Sequence, residues 1–293
     1  MKLTRLDFLK LLGIAASSLY NHSILGKDFR LSMTKNEKMP AIFIGHGSPE
    51  NGILQNGYTK ALNALPKNIP TPKAVLVISA HWLTKGTFVA MTDKPEIIYD
   101  FYGFPEKLYQ LKYNALGSPL FAERVMEIVK TLPLQKDLEW GLDHGAWIPL
   151  LHIYPKANIP VFQMSIDINQ PPEYHYNLGK QLSSLRDMGV LVIGSGNIVH
   201  NLQRINFSNI DGAVYDWSYE FDSIVKKNLD QNNHTAILNY LNLGMVARLS
   251  VPIPDHFYPL LYIIGMQDSK DGLSYFYEGF QHSSISMRCF QIG

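Results

Sequence analysis

The chain has 293 residues, 46% hydrophobic and 17% charged, with 26 basic and 25 acidic side chains and a net charge of +1. Charges so nearly balanced leave no footprint for nucleic acid or an anionic membrane surface, and the length suits one large α/β domain or two small ones. The single cysteine, Cys289, excludes an internal disulfide and a cysteine-built zinc site. A resident metal would therefore take nitrogen and oxygen ligands.

Residues 1–38 differ from the rest. Lys2 and Arg5 precede the apolar run LLGIAASSLY, and a polar linker follows. This is the layout of a secretory leader. TRLDFLK resembles a twin-arginine signal, with Leu6 where the second arginine would stand. Two destinations follow: the cytoplasm, or export by a degenerate twin-arginine-like signal at residues 1–20. The apolar run is too short for stable membrane insertion.

From Met39 onward short apolar runs alternate with helical patterns, which predicts an α/β fold. Strands are expected at 41–45, 74–80, 86–91, 160–166, 190–194 and 285–292. Helices are expected at 55–65, 119–131, 146–154, 174–187, 216–230 and 235–242. Another should open at Pro254, as proline favours a first turn, and run through YPLLYIIG. No linker or repeat interrupts residues 39–293, so they read as one domain. Its core is a central mostly parallel or mixed sheet flanked by helices, with a metal site at the strand C-terminal ends. Cys289 reads as a buried structural thiol in the last strand.

Five histidines fall where apolar runs stop or turns begin: His46 in GHGSP, His81 in SAHW, His144 in DHGAW, His200 in SGNIVHNL and His256 in PDHFYPLLY. In an open α/β sheet, ligands bind outside the carboxyl ends of the strands. Neutral imidazole is the commonest protein metal ligand. Taken singly, each is equally an ordinary loop histidine. Asp143 and Asp255 each read as a helix N-cap or as a partner for an imidazole or metal. The histidines at 22, 152, 175, 234 and 282 lack such flanks and read as structural or surface residues.

GHGSP, SAHW, DFYGFPEKLYQLKY, DHGAW, SGNIVHNL and PDHFYPLLY, in this order, resemble the extradiol ring-cleavage dioxygenases of the LigB superfamily, in their DOPA 4,5-dioxygenase branch. The likeness runs from residue 39 to 293 and closes on SMRCFQIG. It implies that His46 and His81 bind metal, that His200 lies at the metal as the acid–base residue, and that His256 contributes from the opposite wall. All four can hold Zn(II), while activity is expected to need Fe(II). His144 is implied to line the substrate site and assist catalysis. The family tends to carry Glu where this chain has Asp255, which leaves the third ligand open between Asp255 and His256, with His256 favoured.

The implied reaction inserts both atoms of O2 beside the hydroxyls of a catechol. For a DOPA-like substrate, 4,5-cleavage gives a seco-DOPA semialdehyde. A histidine of near-neutral pKa can take a catechol proton and return one later. Trp82, Phe101, Phe104 and Tyr109 are candidates to sandwich the ring, and Asp255 is a candidate substrate contact. Two other readings compete: a zinc-dependent hydrolase, since four histidines also suit zinc, and a non-catalytic metal-binding module on the same scaffold.

Overall fold

The computed structural model describes residues 38–208 and 210–293. The signal-like segment and His22 lie outside the described residues.

In chain order, β1 (Ala41–Gly45) leads through a 3-10 turn at Pro49–Gly52 to α1 (Gly57–Ala64). β2 (Ala74–Thr84) and β3 (Thr87–Ala90) follow, then α2 (Glu106–Tyr109), α3 (Pro119–Ile128), β4 (Leu134–Asp137) and α4 (His144–Ile153). β5 (Val161–Asp167), α5 (Pro172–Leu182) and β6 (Val190–Gly196) end the alternating part. α6 (Asp216–Asp230), α7 (His234–Leu238), α8 (Met245–Ser250) and α9 (Tyr258–Gly265) precede β7 (Leu273–Tyr277), β8 (Phe280–Gln281), β9 (Ile285–Ser286) and β10 (Cys289–Ile292).

Eight strands form one mixed sheet in the order β4-β3-β5-β2-β6-β1-β10-β7. The central four, β5, β2, β6 and β1, run parallel. Antiparallel pairings flank them, β3 on β5 at one side and β10 on β1 and β7 at the other. β1, β5 and β6 are buried along their whole length. That explains their unbroken apolar runs, because strands covered on both faces have no reason to alternate. Phe43, Leu76 and Val192 face a core shared with α3, α5, α6 and α9. Ile42, Ile44, Val75, Val77 and Ile193 face the other core, with α1 and α4. Cys289 is buried in the second of these, as expected of a structural thiol.

Most element ends shift by a residue or more from the sequence expectation, and four of the differences have a visible local reason. β2 continues to Thr84, so His81 lies inside the strand rather than after it. The β2–β5 register jumps between Ile78 and Leu83, leaving residues 79–82 as a bulge; bulges re-aim side chains. α4 opens at His144, because the Asp143 side chain accepts from Ala146 N–H at 3.2 Å. Such a cap is worth about 1 kcal/mol. α9 starts at Tyr258, not Pro254. The Pro254 carbonyl instead accepts from Phe257 and Tyr258 N–H in a preceding turn, and Pro259 occupies the helix start. Finally, the expected strand 285–292 splits into β9 and β10 around Arg288, which is drawn to Asp222 and Glu278.

Candidate metal centre

His46 leaves the end of β1 and is tied to the neighbouring strand by its N–H, 3.0 Å from the Gly196 carbonyl. Gly47 follows with φ +62°, and a Cβ there would stand 2.4 Å from Met287 Sδ. Only glycine fits that turn. The His46 ring is fixed by Ser195. The Ser195 hydroxyl donates its one proton to the Gly145 carbonyl at 2.5 Å. Its oxygen therefore accepts from His46 Nδ1–H at 2.9 Å. This assigns the His46 tautomer and leaves the Nε2 lone pair directed away from Ser195.

The bulge in β2 brings His81 to the same place, with its Nε2 3.1 Å from His46 Nε2. Gly145 at the start of α4 permits the approach: a Cβ there would meet Ser79 Oγ at 2.6 Å and His81 Cδ2 at 3.0 Å. His81 Nδ1 faces Asp100 Oδ2 at 3.4 Å. A proton on that nitrogen sets the His81 lone pair on Nε2, against the His46 lone pair. Two such lone pairs at 3.1 Å suit a cation bound by both.

His256 completes the group. Its carbonyl accepts from Asn197 N–H at 2.8 Å, which pins the turn before α9 to the end of β6. Its ring centroid lies 5.2 Å from that of His46 and 5.0 Å from that of His81. Nδ1 of His256 is buried with no hydrogen-bond partner. Asp255 Oδ1 is only 3.1 Å away but is aligned with the His256 backbone N–H, at 2.7 Å. Asp255 thus caps no helix; it grips the turn. Nitrogens of His46, His81 and His256 converge within 4.8 Å of one another. His200, Asp255 and His256 form a second such group, and His81, Asp100 and His144 a third.

His200 follows β6 outside any helix. It forms an isolated bridge with Ile285, and its ring stacks on His256 at 3.5 Å with 8° between planes. His144 is the first residue of α4. Its backbone N–H and Nδ1 both reach the Asp100 carboxylate at 2.9 Å. A carboxylate only accepts, so Nδ1 carries the proton and Nε2 is left as an acceptor. Of the two roles read for Asp143 from sequence, N-cap or partner of an imidazole, the structure shows the cap of α4, and the carboxylate also holds Ser79 Oγ at 2.6 Å and Gln163 Nε2 at 3.0 Å.

Burial is the main electrostatic influence here. It pushes His46, His81 and His200 well below the ordinary histidine pKa, and the neighbouring imidazoles add to the shift. These rings are therefore neutral at physiological pH, the form that binds metal. Burial pushes Asp100 upward, but its hydrogen bonds from His144 outweigh this and hold the carboxyl below its usual range. Burial, reinforced by Asp100, raises Asp143.

The five histidines open into a cavity of about 650 Å³, within the range of small-molecule sites. Phe101, Phe104 and Asp255 line it, with Tyr102, Leu202, Ile205 and Phe207. Trp82 does not. It is 2% exposed and stacks flat on Trp140 at 5.0 Å. Adjacent strand residues point to opposite faces, so a β2 that delivers His81 to the cavity turns Trp82 away. Tyr109 packs behind Phe101, with ring centroids 5.3 Å apart. His282, read from sequence as structural or surface, lines the cavity. Asp100, Ser195 and Glu50 lie within or beside the same sequence motifs, but their contacts with His144, His46 and the cavity are made only by the fold.

A donor set of buried neutral imidazoles with nearby carboxylates and no thiolate suits a divalent transition metal. The model of the LigB family, the catalytic LigB subunit of aromatic ring-opening dioxygenase, matches residues 39–288. A protein of Escherichia coli (strain K12) named 4,5-DOPA dioxygenase extradiol is 41% identical over 273 residues, 92% of this chain and 99% of that protein. A protein of Beta vulgaris with the same name is 39% identical over 229 residues, 76% of this chain and 85% of the relative. The crystal structure of an uncharacterized protein from Escherichia coli K12 superposes with a TM-score of 0.76 at 38% identity. It covers 87% of this chain and 100% of that one.

Proposed function

This chain belongs to the LigB family of metal-dependent, aromatic ring-opening extradiol dioxygenases, and from that premise we propose that it cleaves DOPA, or a close relative, at the 4,5 bond with Fe(II) as working metal. The relatives named for 4,5-DOPA cleavage at 35–41% identity support the substrate. The redox chemistry supports the metal: O2 insertion calls for an ion that can change oxidation state, and Zn(II) cannot. Zn(II) would fill the same imidazoles without turnover.

One observation carries the assignment of residues. His46 and His81 present two lone pairs to each other at 3.1 Å, and His256 adds a buried, unpartnered nitrogen beside them. His46, His81 and His256 hold the metal in this reading. When bound, the metal supplies Lewis acidity that lowers the pKa of catechol hydroxyls and open positions for substrate and O2.

The remaining residues handle protons and position. His200, kept neutral by burial, accepts a proton from one catechol hydroxyl and returns one during ring opening. His144, with Nδ1–H locked on Asp100, offers its Nε2 lone pair to accept from the second catechol hydroxyl. Phe101 and Phe104 bound the ring plane, and Asp255, held by the His256 backbone N–H, forms the wall beside the metal group. Both oxygen atoms of O2 end in the product, so the reaction needs no external reductant.

The test begins with protein purified without oxygen and loaded with Fe(II). DOPA and air should then give a yellow ring-opened chromophore and stoichiometric O2 uptake, while the Zn(II)-loaded protein stays inert. Absence of both signals across several catechols would overturn the proposal.

A further inference from the structure

Two chain segments far apart in sequence meet beside the histidine cavity through their amides. Asn51 Nδ2 donates to Gln281 Oε1 at 3.0 Å, and Gln281 Nε2 donates back to Asn51 Oδ1 at 2.9 Å. Both residues are buried. Asn51 Nδ2 also lies 3.2 Å from the His46 carbonyl, so this clasp is registered to a candidate metal ligand. Each clasp residue has a cavity-lining neighbour: Glu50 precedes Asn51, and His282 follows Gln281.

Both neighbours present acceptors. Among the described residues the half-buried Glu50 carboxylate has no hydrogen-bond or ion-pair partner; the bonds of Glu50 are backbone ones, its N–H to Ser48 Oγ and its carbonyl from Ile53 and Leu54 N–H. His282 Nδ1 lies 3.0 Å from the Asn206 carbonyl. A carbonyl only accepts, so Nδ1 carries the proton and Nε2 keeps a lone pair. That ring is held by strained backbone: His282 and Ser283 adopt φ of +52° and +67°. The Asn206 and Tyr215 N–H groups hold them there by donating to the His282 and Ser283 carbonyls. Consecutive non-glycine residues in the left-handed region mark a conformation imposed by its surroundings, commonly at functional sites. No lysine or arginine occurs among the described residues lining the cavity. Of its two carboxylates, Asp255 is engaged by the His256 backbone, which leaves Glu50 for a ligand.

We propose that Glu50 and His282 form a subsite for a protonated amine on the side chain of the catechol. This rests on the ring-opening reading and narrows its substrate class to catechols bearing an ammonium group. A carboxylate on the same side chain gains nothing from this wall. An ammonium offers three donors to acceptors that otherwise lack them, and a charge-assisted bond of that kind outweighs a neutral one.

The test uses full-length, metal-loaded protein and three catechols: DOPA, dopamine (ammonium only) and 3,4-dihydroxyphenylpropanoate (carboxylate only). Dissociation constants are measured by calorimetry without oxygen, and kcat/KM in air. Dopamine should bind more tightly than the propanoate. E50Q should lower the dopamine-to-propanoate affinity ratio by about five- to tenfold, and E50K should invert the preference. A ratio unmoved in both variants, or equal weakening of all three ligands, overturns the subsite. Binding ratios that shift as expected without ring opening would sink the dioxygenase reading and leave the subsite standing. Ring opening with unmoved ratios would do the reverse.

Discussion

Asp100 accepts twice from His144, once from the backbone N–H and once from Nδ1–H, each at 2.9 Å. The pair fixes both the start of α4 and the tautomer of a ring that faces the cavity. D100A should lower kcat by about tenfold to a hundredfold, the usual cost of removing a group that orients a site imidazole. D100N is the sharper variant. Its amide can accept from the backbone N–H, but its NH2 confronts Nδ1–H and disfavours the native tautomer. Steady-state kinetics with a thermal melt as folding control would check this. Wild-type kcat in D100N removes the orienting role.

The three converging nitrogens and the stacked fourth ring predict different losses. H46A and H81A should purify with little metal, measured by elemental analysis. H200A should retain metal yet lose turnover by about a hundredfold or more, as expected for a missing acid–base group. Metal-free H200A would make His200 a required ligand, and its stacking on His256 would then describe the metal-free arrangement.

Trp82 and Phe104 offer a matched pair of aromatics. W82F should leave KM for the catechol unchanged and cost about 1–2 kcal/mol of stability through the lost stack on Trp140. F104A should raise KM several-fold with a smaller effect on the melting temperature. A rise in KM for W82F would return Trp82 to the substrate pocket.

Acid should destabilise the metal-free protein. Burial holds His46, His81 and His200 well below 6.5 and His175 down to about 4. The unfolded chain takes up protons at these positions from about pH 6.5 downward, and the folded chain resists. Their stabilising contribution is complete above that pH and is lost as pH falls through the folded-state values. Melting temperature measured on apo protein should fall between about pH 7 and 5. A flat or rising profile over that window contradicts the burial of these rings.

Much of the fold was legible because its strands are buried on both faces and its helices are amphipathic. The runs at 41–45 and 216–230 agree with β1 and α6 to the residue. His46, His81, His144, His200 and His256 were also legible, since each sits in a distinctive flank. The failures have specific causes. A bulge at residues 79–82 leaves no mark in an apolar run, so the face of Trp82 was unreadable. Asp100 meets His144 across 44 positions, a pairing made only by the tertiary fold. His282 carries no motif, and its place in the wall depends on an amide clasp 230 residues long in sequence.

The antiparallel seating of β10 on β1 has a bearing on how the enzyme comes into being. Met287 lies against Gly47, Ile285 bridges His200, and His282 closes the wall that Glu50 begins. A nascent chain on the ribosome can form the βα units up to β6 and still lack a sealed pocket. Without residues 282–292, β1 would be the edge of the sheet and the cavity would lack His282 and Ile285. Closure of the wall around the metal group thereby depends on the last strands of the chain, although the first two imidazoles come from β1 and β2.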